Sequence, residues 1–125
     1  MNQNIVALKA YAGVAAATRT PRRIEYELFG QVTRRLIAAR AGGSDNLAPM
    51  AAALNDNLRL WTSIAADVAE AGNGLPPQLK ARLFYLYEFT RAHTRKVLSG
   101  KADAEVLVDI NTAVMRGLSG EGPAR

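Results

Sequence analysis

The chain contains no cysteine and a single histidine, His93. Without thiols, disulfides and thiolate metal sites are excluded. One imidazole backed only by carboxylates is also a poor start for structural zinc, which needs several N, S or O ligands. Nucleophilic catalysis needs a Ser, Cys or Thr beside a positioned base, and one histidine leaves few such bases. Glycine-rich phosphate cradles are missing too: Gly42-Gly43 stands in neither a GxxxxGK[ST] nor a GxGxxG frame, and Gly72-Asn73-Gly74 reads as a turn. No apolar run approaches the roughly 18–20 residues that span a bilayer. At the N-terminus Lys9 comes late and no Leu-rich stretch follows it, so no secretory signal is expected and the protein is read as cytoplasmic. Aromatics are scarce, at 6%.

What is present fills a helical core. Hydrophobic residues make up 49% of 125 residues, with alanine prominent. Alanine loses no side-chain entropy in a helix and lets helices approach closely. The length suits one domain. Sixteen basic against eleven acidic residues give a net charge of +5, which permits nucleic acid, an acidic protein patch or an anionic membrane as partner without choosing among them.

Every periodic segment reads as a helix. Over residues 4–17, Ile5, Leu8, Ala12 and Ala15 share a face that Gly13 weakens. Thr20-Pro21 predicts the next start, with Thr20 as N-cap and Pro21 in the first turn. Ile24, Leu28, Val32, Leu36 and Ala39 form its stripe, widened by Tyr26, Phe29 and Ile37, and Gly42-Gly43 ends it. A third helix runs from Leu47 or Pro49 to Ala71 with Met50, Leu54, Leu58, Trp61, Ala65 and Val68 on one face. A fourth begins at Pro76-Pro77, presents Leu79, Leu83, Leu86, Phe89 or Thr90, His93 and Val97, and stops at Gly100. The fifth extends from an Asp103 cap to Arg116, with Val106 or Leu107, Ile110, Val114 and Leu118 inward and Gly117 as its stop. The expectation is an all-α, compact bundle of about five helices: a single domain over residues 1–118, residues 1–17 a mobile first helix, and 119–125 a disordered tail.

Chemistry-bearing residues are few. His93 lies beside an apolar stripe and reads as a packed helix residue. Glu25 and Glu27 face apart. Asp67 and Glu70 share a solvated face, and Asp103 and Asp109 sit on the last helix, so no pair suits acid–base work. Arg19, Arg22 and Arg23 cluster at a helix start, where positive charge opposes the macrodipole, which hints at a partner or a tertiary ion pair. Trp61 reads as core, while Asn57 and Arg59 fall off its stripe. Tyr85 and Tyr87 flank Leu86, so at least one should reach the surface. The protein is expected to bind a partner and not to be an enzyme.

The order of these motifs resembles one family. Thr20-Pro21-Arg22-Arg23-Ile24-Glu25, then Asn57-Leu58-Arg59-Leu60-Trp61 with Asp67, then Asn73-Gly74-Leu75-Pro76 with Leu79, Leu83 and Phe89, then Asp109-Ile110-Asn111 and Met115-Arg116-Gly117-Leu118 are similar to FlaF, the flagellar biosynthesis regulators of alphaproteobacteria. The likeness spans about Tyr11 to Leu118. It implies a protein needed for flagellin production and type III export, binding flagellin as a chaperone or assembly factor and acting opposite an FlbT-like regulator. No cofactor, metal, small-molecule substrate or membrane is expected. Contact residues expected from the matched motifs and the exposed aromatics are Arg22, Arg23, Asn57, Arg59, Tyr85 and Tyr87. The alternative is an RNA-binding regulator of flagellin mRNA acting through the Arg19–Arg23 and Arg34–Arg35 patches.

Overall fold

In the computed structural model, residues 19–43 and 47–119 are described, and they form four helices and no strand. These are α1 (Arg19–Ala41), α2 (Leu47–Ala69), α3 (Pro77–Leu98) and α4 (Glu105–Ser119). The all-α expectation holds. The helices described number four where five were expected, because the one expected over residues 4–17 lies outside the described residues, as does the tail beyond Ser119. α1 packs against α2 and α4, and α2 packs against α3.

The helix ends follow local chemistry, with two corrections. Gly72 after α2 and Gly100 after α3 take positive φ of 84° and 78°, a region glycine enters without a Cβ clash. α3 opens with Pro77 at its first position, where a missing N–H is harmless. Thr20, however, is not a cap: α1 already includes it, starting at Arg19. Gly117 is not a stop either. It lies inside α4, buried, and the helix continues to Ser119.

The α2–α3 turn explains the Asn73-Gly74-Leu75-Pro76 motif. Asn73 Nδ2 donates to the Asp67 carbonyl at 3.1 Å, satisfying an end of α2. Asn73 Oδ1 accepts from the Leu75 amide at 3.1 Å, and the turn thus pins Leu75 into the core. At the other end, Asp103 Oδ1 accepts the Glu105 amide at 2.8 Å, one orphan donor of α4. His93 Nε2 donates to the Asp103 carbonyl at 2.8 Å and the ring stacks on Phe89. This is a packed helix residue, as its position on the stripe predicts.

The interior is layered. One apolar cluster joins Phe29 and Val32 of α1, Leu60, Trp61 and Val68 of α2, Leu75, Leu79 and Leu83 of the turn and α3, and Val114 of α4. A second joins Leu36, Ala39, Ala53, Leu54 and Leu107. Along α1, α2 and α4 one buried polar residue separates the two clusters, namely Thr33, Asn57 and Asn111, and α3 adds the buried Thr90 and Thr94. Asn111 uses its whole amide. Its Oδ1 accepts from Trp61 Nε1 at 3.0 Å, and its Nδ2 donates to Asn57 Oδ1 at 2.8 Å and Thr33 Oγ1 at 3.1 Å. The indole can only donate, which fixes the orientation of the Asn111 amide. Three helices are thereby tied at one level, and sliding any of them by a residue would strand buried polar groups.

The layer is not fully satisfied. Asn57 Nδ2 and Thr90 Oγ1 are buried without a hydrogen-bond partner. A buried unpaired polar group costs about 1–3 kcal/mol. Thr90→Val, which replaces that hydroxyl with a methyl of similar size, is therefore expected to raise the unfolding free energy by about 1 kcal/mol. Urea unfolding of the two proteins measures it, and a clear loss of stability would show that the hydroxyl is bonded in solution.

The α1 stripe is turned relative to the sequence expectation. Phe29, Val32, Leu36 and Ala39 are buried, but Tyr26, Leu28 and Ile37 are exposed. α1 lies between α2 and α4, so its buried arc centres on Phe29, Thr33 and Leu36. At about 100° per residue, Leu28 and Ile37 fall on the two rims of that arc.

Candidate functional site

A groove of about 250 Å³ opens between α1 and α4. α1 supplies Tyr26, Gly30, Thr33 and Arg34, which recur at helical spacing on one face. α4 supplies Thr112, Met115 and Arg116. The floor is firm, because Thr33 belongs to the buried polar layer. Thr112 returns its hydroxyl proton to the Val108 carbonyl at 2.8 Å and so presents mainly its methyl group. The walls are apolar and the rims carry two guanidiniums.

Gly30 shapes this groove. It is a helix-interior glycine without positive φ. A Cβ there would meet the Arg34 Nη1 at 3.2 Å and the Met115 Cε at 3.6 Å, and no backbone. The Arg34 guanidinium therefore lies over the bare backbone of Gly30. Two other arginines of α1 are engaged by neighbouring elements. Arg35 pairs with Asp56 of α2 at 2.9 Å, and Arg40 pairs with Asp103 and Glu105 at the start of α4. Arg34 has no ion pair among the described residues.

The Arg40–Asp103 pair makes a pH prediction. The hydrogen bond from Arg40, then the Glu105 amide, hold the Asp103 carboxyl below the ordinary carboxylate range. Arg40 is correspondingly raised, far above any working pH. A depressed carboxyl adds stability above its unfolded value of about 3.9 and loses it as pH falls through the folded one. Asp103→Asn should therefore be less stable than the parent at neutral pH, with the gap closing on acidification. The pair is exposed, so the effect should be small and shrink with salt. Thermal melts from neutral to acid pH measure it, and a gap that widens in acid would refute the assignment.

A second surface lies on α3. Tyr85 is 67% exposed and Phe84 is 37% exposed. Phe84 meets Tyr87 edge-on at 6.3 Å, Arg91 lies 5.9 Å from the Tyr87 ring centre, and Tyr87 packs on the core beneath. One tyrosine is thus exposed and the other half-buried, as the spacing around Leu86 requires.

The expected contact residues whose side chains are described are spread over α2 and α3. Asn57 is a correction: it is wholly buried and its Oδ1 serves the polar layer, so it presents nothing to a partner. It falls off the α2 stripe but faces Asn111, which only the placement of α4 reveals. Arg59 is exposed on α2, and no hydrogen bond, ion pair or ring contact among the described residues joins it to Tyr85 or Tyr87. The side chains of Arg22 and Arg23 lie outside the described part. Of the groove residues, Gly30 carried a signal in the sequence, a lone glycine within an apolar-periodic helix. Met115 and Arg116 carried one as part of the Met115-Arg116-Gly117-Leu118 motif, whereas Thr33 and Thr112 carried none. Among the described residues no three His, Asp or Glu side chains are grouped to hold a metal, and no helix is long and apolar enough to cross a membrane.

The described residues thus form a small all-α bundle with a polar central layer, an open interhelical groove and aromatics at its surface. The chain belongs to the FlaF family: residues 7–118 match the family described as flagellar protein FlaF. This is therefore a flagellar protein. No curated protein and no solved structure matches the chain.

Proposed function

We propose that this FlaF family protein binds flagellin in the cytoplasm, as an export chaperone or assembly factor that promotes flagellin synthesis and secretion for motility, and that it has no catalytic activity. The family assignment over residues 7–118 carries the reading. The geometry supports it: an apolar groove between two helices accepts an amphipathic segment by helix-in-groove contact. A segment that orders on binding gives up entropy, which keeps affinity moderate and release feasible for export.

Co-purification of the full chain with its cognate flagellin tests the proposal. A stoichiometric complex is expected, and its absence at micromolar concentrations sinks the reading. Salt separates flagellin from RNA as the partner. Phosphate contacts make affinity fall log-linearly and steeply with salt, whereas an apolar groove is far less sensitive. The Arg35–Asp56 pair already draws one member of the Arg34–Arg35 patch onto α2.

A further inference from the structure

We propose that the α1–α4 groove seats an amphipathic helix of flagellin, which inserts one apolar side chain against Tyr26, Gly30 and Met115 and places a carboxylate, one turn along, on Arg34. The proposal rests on the flagellin-binding reading and adds the surface and the chemistry of the contact.

Gly30 is the first observation. A glycine inside a helix is less favourable than alanine, so its presence asks for a reason. Backbone conformation gives none, since φ is not positive. Packing gives none either: a Cβ would press only on the far end of Arg34 and touch Met115 at ordinary distance. Alanine there asks only the flexible end of Arg34 to yield by a few tenths of an ångström. What a side chain there would take away is the depth of the groove.

Charge is the second. α1 pairs Arg35 and Arg40 with acids of its neighbours, while Arg34 stands at the groove rim with no ion pair among the described residues. Arg116 stands on the opposite rim. Arginine presents a planar fork of donors that matches a carboxylate. A partner carrying an acid beside its apolar anchor thus complements the site, and a basic partner is repelled.

Size is the third. About 250 Å³ admits one Leu- or Phe-sized side chain, and methionine adapts its shape to such an anchor. Helices bound in grooves present anchors three or four residues apart, which puts a neighbouring carboxylate within reach of Arg34.

The test uses the purified full chain and cognate flagellin. Gly30→Ala should raise the melting temperature yet weaken binding about fivefold, the factor that about 1 kcal/mol of binding energy represents. Arg34→Glu should leave the fold intact and weaken binding about tenfold or more at low salt, less at high salt. A photoreactive benzoylphenylalanine in place of Tyr26 should crosslink to flagellin, at a helical segment holding an acid three or four residues from an apolar one. Failure of the unmodified chain to bind flagellin overturns the functional reading itself. Binding by the unmodified chain with Gly30→Ala and Arg34→Glu both at full affinity overturns the groove alone. So does a crosslink confined to this chain or to a second copy of it. Because Arg34 is exposed, its variant decides the matter even if substitutions at Gly30 perturb the fold.

Discussion

Asn111→Ala is expected to lower the unfolding free energy by about 4 kcal/mol, the largest loss from any single polar substitution in this bundle. Asn111 satisfies Trp61 Nε1, Asn57 Oδ1 and Thr33 Oγ1 at once, at a position with no solvent exposure. Removing its amide deletes three hydrogen bonds, each contributing about 1 kcal/mol net. It also leaves the indole N–H and the Asn57 carbonyl buried without partners, which is the larger penalty. The Thr33 hydroxyl can rotate and loses least. For a domain of this size the melting temperature should fall by roughly 10–20 °C. Urea unfolding followed by circular dichroism measures the change. A loss under about 1 kcal/mol would mean that water or a repacked neighbour replaces the amide, and the polar layer would then have no role in holding the helices in register. Asn111→Leu should not rescue the loss, since it fills the space but leaves the same donors and acceptors stranded.

Trp61→Ala should cost about 4–5 kcal/mol, through a different mechanism. Trp61 has no solvent exposure, meets Phe29 edge-on at 5.8 Å, and sits in the larger apolar cluster. Truncation opens a cavity between α1, α2 and α4 that the surrounding helices cannot fully close. It also orphans Asn111 Oδ1. Trp61→Phe shifts the balance between these two effects: it keeps a six-membered ring, leaves a smaller cavity and removes the donor, for an expected loss of about 1–3 kcal/mol. A double-mutant cycle between Trp61→Phe and Asn111→Ala should show a coupling of about 1–2 kcal/mol. Strictly additive losses would show that the 3.0 Å contact contributes nothing to stability and that Trp61 acts by packing alone.

The effects expected of Asn111→Ala and Trp61→Ala bear on function because the groove is built on the same layer. Thr33 forms the groove floor and accepts from Asn111. A variant that loosens the layer should therefore weaken partner binding as well as stability, whereas Gly30→Ala should move the two in opposite directions.

Much of this fold is legible in the sequence. Pro77 and the glycines at 72 and 100 mark real ends, because proline and glycine act through their own backbone and need no neighbour. Leu54, Trp61, Leu79 and Leu83 are buried where their periodicity places them. Leu28 and Ile37 are not, because a stripe shows that a helix has an inner face but not how far a third helix turns it. Asn57 reads as a surface contact because polar residues are usually outside. It is inside because Asn111, fifty-four residues away, faces it.

The sequence by itself determined that this protein is helical, where most helices stop, that thiol chemistry is closed to it, and which family it resembles. These properties reside in single residues, short spacings and motif order. Only the tertiary structure decided which polar residues form the central layer, that Arg34 has no ion pair among the described residues, and that Gly30 lines a groove. Each of these depends on what stands opposite a residue across a helix interface, and the periodicity of one helix carries no information about its neighbours' rotation or register.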